Sequence, residues 1–169
     1  MTVARYAHFS DEDIANSFMP RRAVADHEAW LAREAALSEK ARKEFKGARL
    51  DVPYGDTPLQ RLDIFPTARK DAPIHVYIHG GFWRALDKAA YSHIGATLAR
   101  AGAVGVLINY DLCPKVTVDD VVRQTMAAIA WTYRHGGELG GDPNRIYVSG
   151  HSAGGQLAAM TLAHDLRAD

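Results

Sequence analysis

Arg145-Ile146-Tyr147-Val148-Ser149-Gly150-His151-Ser152-Ala153-Gly154 sets an apolar, strand-sized run directly before Gly-His-Ser-Ala-Gly. Small residues that suit a helix start follow it. A G-x-S-x-G between a buried strand and a helix is the setting of a nucleophile elbow. The reason is steric: the serine occupies a sharp, strained turn, where a side chain at either glycine position would meet neighbouring backbone. The turn exposes Ser152 Oγ at a helix N-terminus, whose N–H groups and dipole favour negative charge.

Upstream, strands and helices alternate. Ile74–Ile78 and Val104–Ile108 read as strands. Lys88–Arg100 reads as a helix ended by Gly102. Thr117–Arg134 is amphipathic, with Val118, Val121, Val122, Ile129 and Tyr133 on one side, and Thr117 with Asp120 resembles a capping box. This alternation predicts a mostly parallel sheet with helices on both faces. Before it, Arg49–Tyr54 and Gln60–Phe65 flank the turn sequence Gly55-Asp56-Thr57-Pro58 and predict a hairpin, with Pro53 marking an edge strand. Earlier still, Ser10 caps a helix expected to stop near Pro20. A second helix is expected from about Ala23 to Phe45, with Val24, Trp30, Leu31, Ala41 and Phe45 on one face. The division expected is a helical lead-in over 1–47 and an incomplete α/β core over 48–169.

His79-Gly80-Gly81-Phe82-Trp83 follows the strand that ends at Ile78. A glycine pair after a strand leaves backbone N–H groups approachable, and such donors stabilise an oxyanion on an attacked carbonyl. The matching donor on the serine side is the Ala153 N–H. Alone, His-Gly-Gly is explained equally well by a tight turn. Combined with the elbow, in this order, it points to acyl transfer.

At these residues the sequence resembles the α/β-hydrolase family, and within it the esterase and kynurenine formamidase-like (arylformamidase) branch. HGGFWRALDKAAYS is similar to that branch's segment, including a downstream lysine, here Lys88; lipase-like relatives carry a third glycine where this chain has Phe82. Tyr110-Asp111-Leu112-Cys113-Pro114, Gly140–Ile146 and the lead-in over Asn16–Arg42 also resemble the branch. The resemblance implies Ser152 as nucleophile. It implies Gly81, Phe82 and Ala153 as oxyanion donors, with Gly80 shaping the loop. Phe82 and Trp83 become candidates to line an acyl or aryl pocket, although core packing explains either ring as well. His151, at the variable position, reads as a neighbour of the serine rather than its base. No cofactor and no metal site are implied.

Lys plus Arg and Asp plus Glu both total 20, which leaves no net charge and argues against a nucleic-acid partner. Cys113 is the sole cysteine, so no internal disulfide forms. The first residues show no signal-peptide core and no run is long enough to span a membrane, so a cytoplasmic protein is expected.

A serine hydroxyl needs a base, and in this fold the acid and histidine follow the serine in sequence. Here His164 and Asp165 follow it, but about 18 Å along the same helix. His8, His27, His75, His93 and His135 precede it. The expectation is therefore the N-terminal half to two-thirds of a hydrolase, cleaving a carboxylic ester or an N-formyl or aryl amide with an Asp and a His from outside this chain. The competing expectation is a non-catalytic module that associates, for example with itself, through an exposed sheet edge.

Overall fold

The computed structural model describes residues 8–19, 21 and 24–163. The stretches around Pro20, Arg22 and Ala23, and His164 with Asp165, lie outside the described residues. The chain divides into two compact units, Met1–Arg33 and Glu34–Asp169. In the first, α1 (Asp11–Ser17) begins at a capping box in which Ser10 and Asp13 exchange hydrogen bonds. Three acidic residues fill its first turn, as the dipole favours.

The helix α2 (His27–Glu44) runs across the boundary between the units. Its expected apolar face is only partly realised. Ser38 and Ala41 are buried, whereas Val24, Trp30 and Leu31 are each at least 45% exposed. Within the second unit, Ala41 and the following Phe45 meet Phe65 and Ala96 in one cluster, and Ser38 Oγ donates to the Ala90 carbonyl at 2.6 Å.

That unit is a five-stranded sheet in the order β1-β2-β4-β3-β5. β1 (Arg49–Pro53) and β2 (Arg61–Phe65) form the antiparallel pair expected of the hairpin, with β1 at the edge. β3 (Ala72–Ile78), β4 (Val104–Ile108) and β5 (Gly141–Gly150) are mutually parallel. A 3-10 turn over Lys88–Tyr91 leads into α3 (Ser92–Arg100). Between β4 and β5 runs α4 (Val118–His135), opened by the Thr117–Asp120 box. α5 (Ala153–Leu162) follows β5 directly.

Alternation along the strands sorts the core into two layers. Ile74, Val76 and Ile78 of β3, with Val104, Val106 and Ile108 of β4, share one cluster with Val121, Met126 and Ile129 of α4 and Leu157 of α5. Phe65 and Leu107 point the other way and meet Ala96 and Ala99 of α3. Helices therefore cover both faces, as expected. The C-terminal ends of β3, β4 and β5 lie together at one rim of the sheet. In open α/β sheets this is where ligands bind.

A group of charges lies on the α3 side of the sheet. Lys88, 2% exposed, reaches Asp51 at 2.5 Å and the fully buried Asp63 at 2.9 Å. Arg42 of α2 pairs with Asp63 and lies 3.7 Å from Asp51. Two cations thus face two anions, and Asp63 also accepts the Asp51 N–H at 2.8 Å. Buried charges persist in this way, paired and hydrogen-bonded.

Candidate active site

Ser152 stands between β5 and α5 with φ 53° and ψ −119°. L-residues rarely adopt such a backbone, which costs about 1–3 kcal/mol. Local packing imposes the conformation. The His151 N–H donates to the Ile78 carbonyl at 3.2 Å, and the Gly154 N–H to the His151 carbonyl at 2.8 Å. A Cβ at Gly150 would strike the Gly154 carbonyl. One at Gly154 would strike the Ile78 carbonyl and sit 2.6 Å from the His79 oxygen. Both glycines are thus required by close backbone approach, as the sequence suggested. Ser152 and His151 are exposed, and Ala153 is buried. As the first residue of α5, Ala153 has an N–H without an intrahelical acceptor.

The loop after β3 lies against this turn. A Cβ at Gly80 would come within 2.7 Å of the His151 carbonyl and 3.2 Å of Ser152 Cβ. The missing side chain is what lets the loop approach the serine. Gly81, Phe82, Trp83 and Leu86 all have positive φ, at 114°, 54°, 55° and 72°. The N–H groups of Gly81 and Phe82 have no backbone acceptor among the described residues. Phe82 is 64% exposed. Trp83 packs against the main core and donates its indole N–H to Gln156 Oε1 of α5 at 3.2 Å, a second tie between loop and elbow. Its ring therefore has a structural task whatever it meets in a pocket.

The loop is anchored by His79, which the sequence suggests as a structural partner of its loop, by Tyr110, and by Asn109, which the sequence reading did not single out. His79 is 1% exposed and stacks on Tyr110 at 4.3 Å between ring centres. Its Nε2 lies 2.9 Å from Asn109 Oδ1 and its Nδ1 2.7 Å from the Gly80 carbonyl. Burial pulls the imidazole pKa below its ordinary value, opposed in part by the Gly80 carbonyl and Asn109. The Tyr110 hydroxyl donates to the His79 carbonyl at 2.8 Å, and burial raises its own pKa. Asn109 carried one faint signal, a polar residue at the C-terminal end of a parallel strand.

No histidine among the described residues is hydrogen-bonded to Ser152. His27 bonds the Val24 carbonyl, His75 bonds Ser149 Oγ at 2.7 Å, His93 bonds Ser38 Oγ at 2.8 Å, and His135 bonds the Trp131 carbonyl. His8 lies beside the Phe9 ring. Among the described residues no cluster of three His, Cys, Asp or Glu could hold a metal. No described helix is long and apolar enough to cross a membrane.

A strained serine on a strand-to-helix turn, met by a glycine loop from the next strand, is the arrangement the sequence predicted. The BD-FAE family model matches residues 62–166, a span that holds both the loop and the elbow. The chain belongs to the BD-FAE family of α/β-hydrolases. This BD-FAE chain is 35% identical over 118 residues to the kynurenine formamidase of Salmo salar, covering 69% of this chain and 39% of that protein. It is 35% identical over 119 residues to the isoprenylcysteine alpha-carbonyl methylesterase ICME of Arabidopsis thaliana, covering 69% of this chain and 28% of that protein. Among solved structures, esterase 2 of Thermogutta terrifontis, phosphoramylated by tabun, superposes with a TM-score of 0.61 at 32% identity. That match covers 73% of this chain and 50% of the other. The BD-FAE chain thus spans well under two thirds of the proteins it matches, and those proteins are esterases and a formamidase.

Proposed function

We propose that Ser152 is the nucleophile of a serine hydrolase that cleaves a small carboxylic ester or an N-formyl or aryl amide. The observation that carries this is the strained φ of Ser152 on a turn against which Gly80 is packed. Ser152 Oγ attacks the substrate carbonyl carbon as a base takes its proton. The N–H groups of Gly81, Phe82 and Ala153 receive the oxyanion. Collapse expels the alcohol or amine, which takes the proton back, and water then releases the acyl group. Phe82 is free to line the acyl or aryl side, and Trp83 and His151 border it. The reaction requires an Asp and a His that the described residues do not supply.

The test is treatment with a fluorophosphonate, followed by mass spectrometry of the peptide bearing residue 152. Esterase 2, phosphoramylated by tabun, supports the choice of an organophosphorus probe. Modification that disappears in Ser152→Ala supports the reading. A folded protein, supplied with its complete sequence, that takes up no label at Ser152 would sink it.

One observation favours a second reading, a non-catalytic module that pairs with another copy of the chain. Among the described residues β5 is bonded on one side only, to β3, and Tyr147 on it is 57% exposed. Labelling separates the two readings, since an unactivated serine does not react.

A further inference from the structure

The loop Gly80–Leu86 places three non-glycine residues and one glycine at positive φ. A segment so strained holds its shape only if the surrounding structure over-determines it. Its middle is tied by Trp83, through the indole bond to Gln156 and through its carbonyl, which accepts the Cys113 N–H at 2.8 Å. Its two ends are tied by a single side chain. Asn109 Oδ1 accepts from His79 Nε2 at 2.9 Å, immediately before the loop, and from the Lys88 N–H at 3.0 Å, just after it. Asn109 Nδ2 donates to Asp87 Oδ2 at 2.6 Å.

Asn109 is itself fixed. It is 4% exposed and directly follows β4. Its N–H donates to the Arg61 carbonyl at 2.9 Å, and its carbonyl accepts the Tyr54 hydroxyl at 2.6 Å. Every polar atom of the residue is engaged. The side chain must present an acceptor to His79 and Lys88 and a donor to Asp87, which only a primary amide does. Because Asn109 Nδ2 faces a carboxylate, its Oδ1 faces the imidazole, so the two ring nitrogens of His79 meet two oxygens, Asn109 Oδ1 at Nε2 and the Gly80 carbonyl at Nδ1.

We propose that Asn109 is the positioning residue of the oxyanion loop, joining its entry at His79 to its exit at Asp87-Lys88. This rests on the reading of Ser152 as nucleophile. Asn109 touches no substrate. It acts by holding the span between the two anchors at one length, and so the Gly81 and Phe82 N–H groups at one distance from the serine.

The experiment is a donor–acceptor exchange. Asn109→Asp keeps the acceptor for His79 and Lys88 but sets a carboxylate against Asp87. Adding Asp87→Asn restores a donor facing an acceptor, and Asn at 87 still offers an oxygen to the Ala89 N–H, which Asp87 Oδ1 caps at 2.7 Å. Hydrogen exchange of peptide 79–88 and the rate of fluorophosphonate capture are read in wild type, single and double variants of the full chain. In Asn109→Asp, exchange of the loop amides is expected to rise about tenfold while that of β4 stays within about twofold. The double variant is expected to return to within about threefold of wild type. Capture by Ser152 slows and recovers in parallel. Unchanged loop exchange in Asn109→Asp, or a double variant that recovers nothing, overturns the clamp. So does a capture rate that Asn109→Asp leaves unaltered. Loop exchange that behaves as expected while even the wild type captures no phosphonate leaves the clamp standing and removes the nucleophile reading instead. If Asn109→Asp does not fold, Asp87→Asn alone faces the Asn109 amide with a second amide and is judged by the same loosening.

Discussion

Ser152 carries a backbone conformation that only glycine adopts without cost, yet glycine there has no hydroxyl to give. On the proposed reading of Ser152 as nucleophile, a serine at φ 53° and ψ −119° is strain accepted for what its oxygen does. Ser152→Gly is therefore expected to remove the backbone penalty while adding only glycine's smaller entropic one. The net gain is about 1 kcal/mol, with complete loss of phosphonate capture. Urea denaturation of both proteins reads the gain directly. A loss of stability would mean that the turn is relaxed and that its angles say nothing about function. Gly150 and Gly154 show how much of this was legible. Their spacing around the serine was in the sequence, and the backbone collisions that demand it are what packing adds. Asn109 was not legible, because its task depends on two contacts 21 and 30 residues away.

Among the elements, the 3-10 turn Lys88–Tyr91 does more than lead into α3. Its first residue reaches back under the sheet to Asp51 of β1 and Asp63 of β2, while its N–H reaches Asn109 beyond β4. The hairpin and the parallel strands are joined at this point. Lys88→Met fills similar volume but leaves Asp63 buried with Arg42 as its remaining cation. The expected loss is about 3 kcal/mol, since removing one partner of a buried ion group strands the other charge. An unchanged urea midpoint would show that Arg42 alone satisfies Asp63. The hairpin, α4 with its Thr117 box, and the parallel strands followed from alternation and capping, signals carried within short stretches. The charge group did not, because Arg42, Asp51, Asp63 and Lys88 are apart in sequence and each alone reads as a surface residue. The same blindness made the apolar face of α2 look longer than it is. Periodicity marks which residues could pack, and it does not decide which do.

At the scale of the molecule, two properties follow from the sheet. The first is pH dependence. Burial holds the imidazoles of His75 and His79 below their ordinary pKa. The unfolded chain then takes up these protons first, so their share of stability is intact above about pH 6.5 and is lost as pH falls toward the folded values. Asp51, Asp120 and Asp142 add losses only at lower pH. Their hydrogen-bonded partners, Lys88, Thr117 and Arg145 in turn, hold them below the usual carboxylate range, Asp120 at about 2. Urea midpoints between pH 7.5 and pH 5 are expected to fall, and His75→Gln is expected to flatten that slope; parallel slopes would remove His75 as a cause. The second is the edge at β5. Among the described residues this strand is bonded only to β3, yet Ile146 and Val148 on it pack toward the core and Tyr147 stands 57% exposed on the opposite face. An apolar strand with one unpaired side is a template for another strand, and native edges are blunted by charges; those of β5, Asp142 and Arg145, pair with each other near its start and leave Ile146–Gly150 uncharged. The chain of 169 residues, taken as it stands, is therefore expected to self-associate at micromolar concentration. A lysine on the exposed face opposes its own copy across the symmetric contact, so Tyr147→Lys is expected to weaken association about tenfold, more at low salt than at high. Sedimentation velocity over a concentration series distinguishes the cases. A monomer at every concentration would mean that the open edge is already protected. Association that Tyr147→Lys leaves untouched would place the contact elsewhere on the molecule.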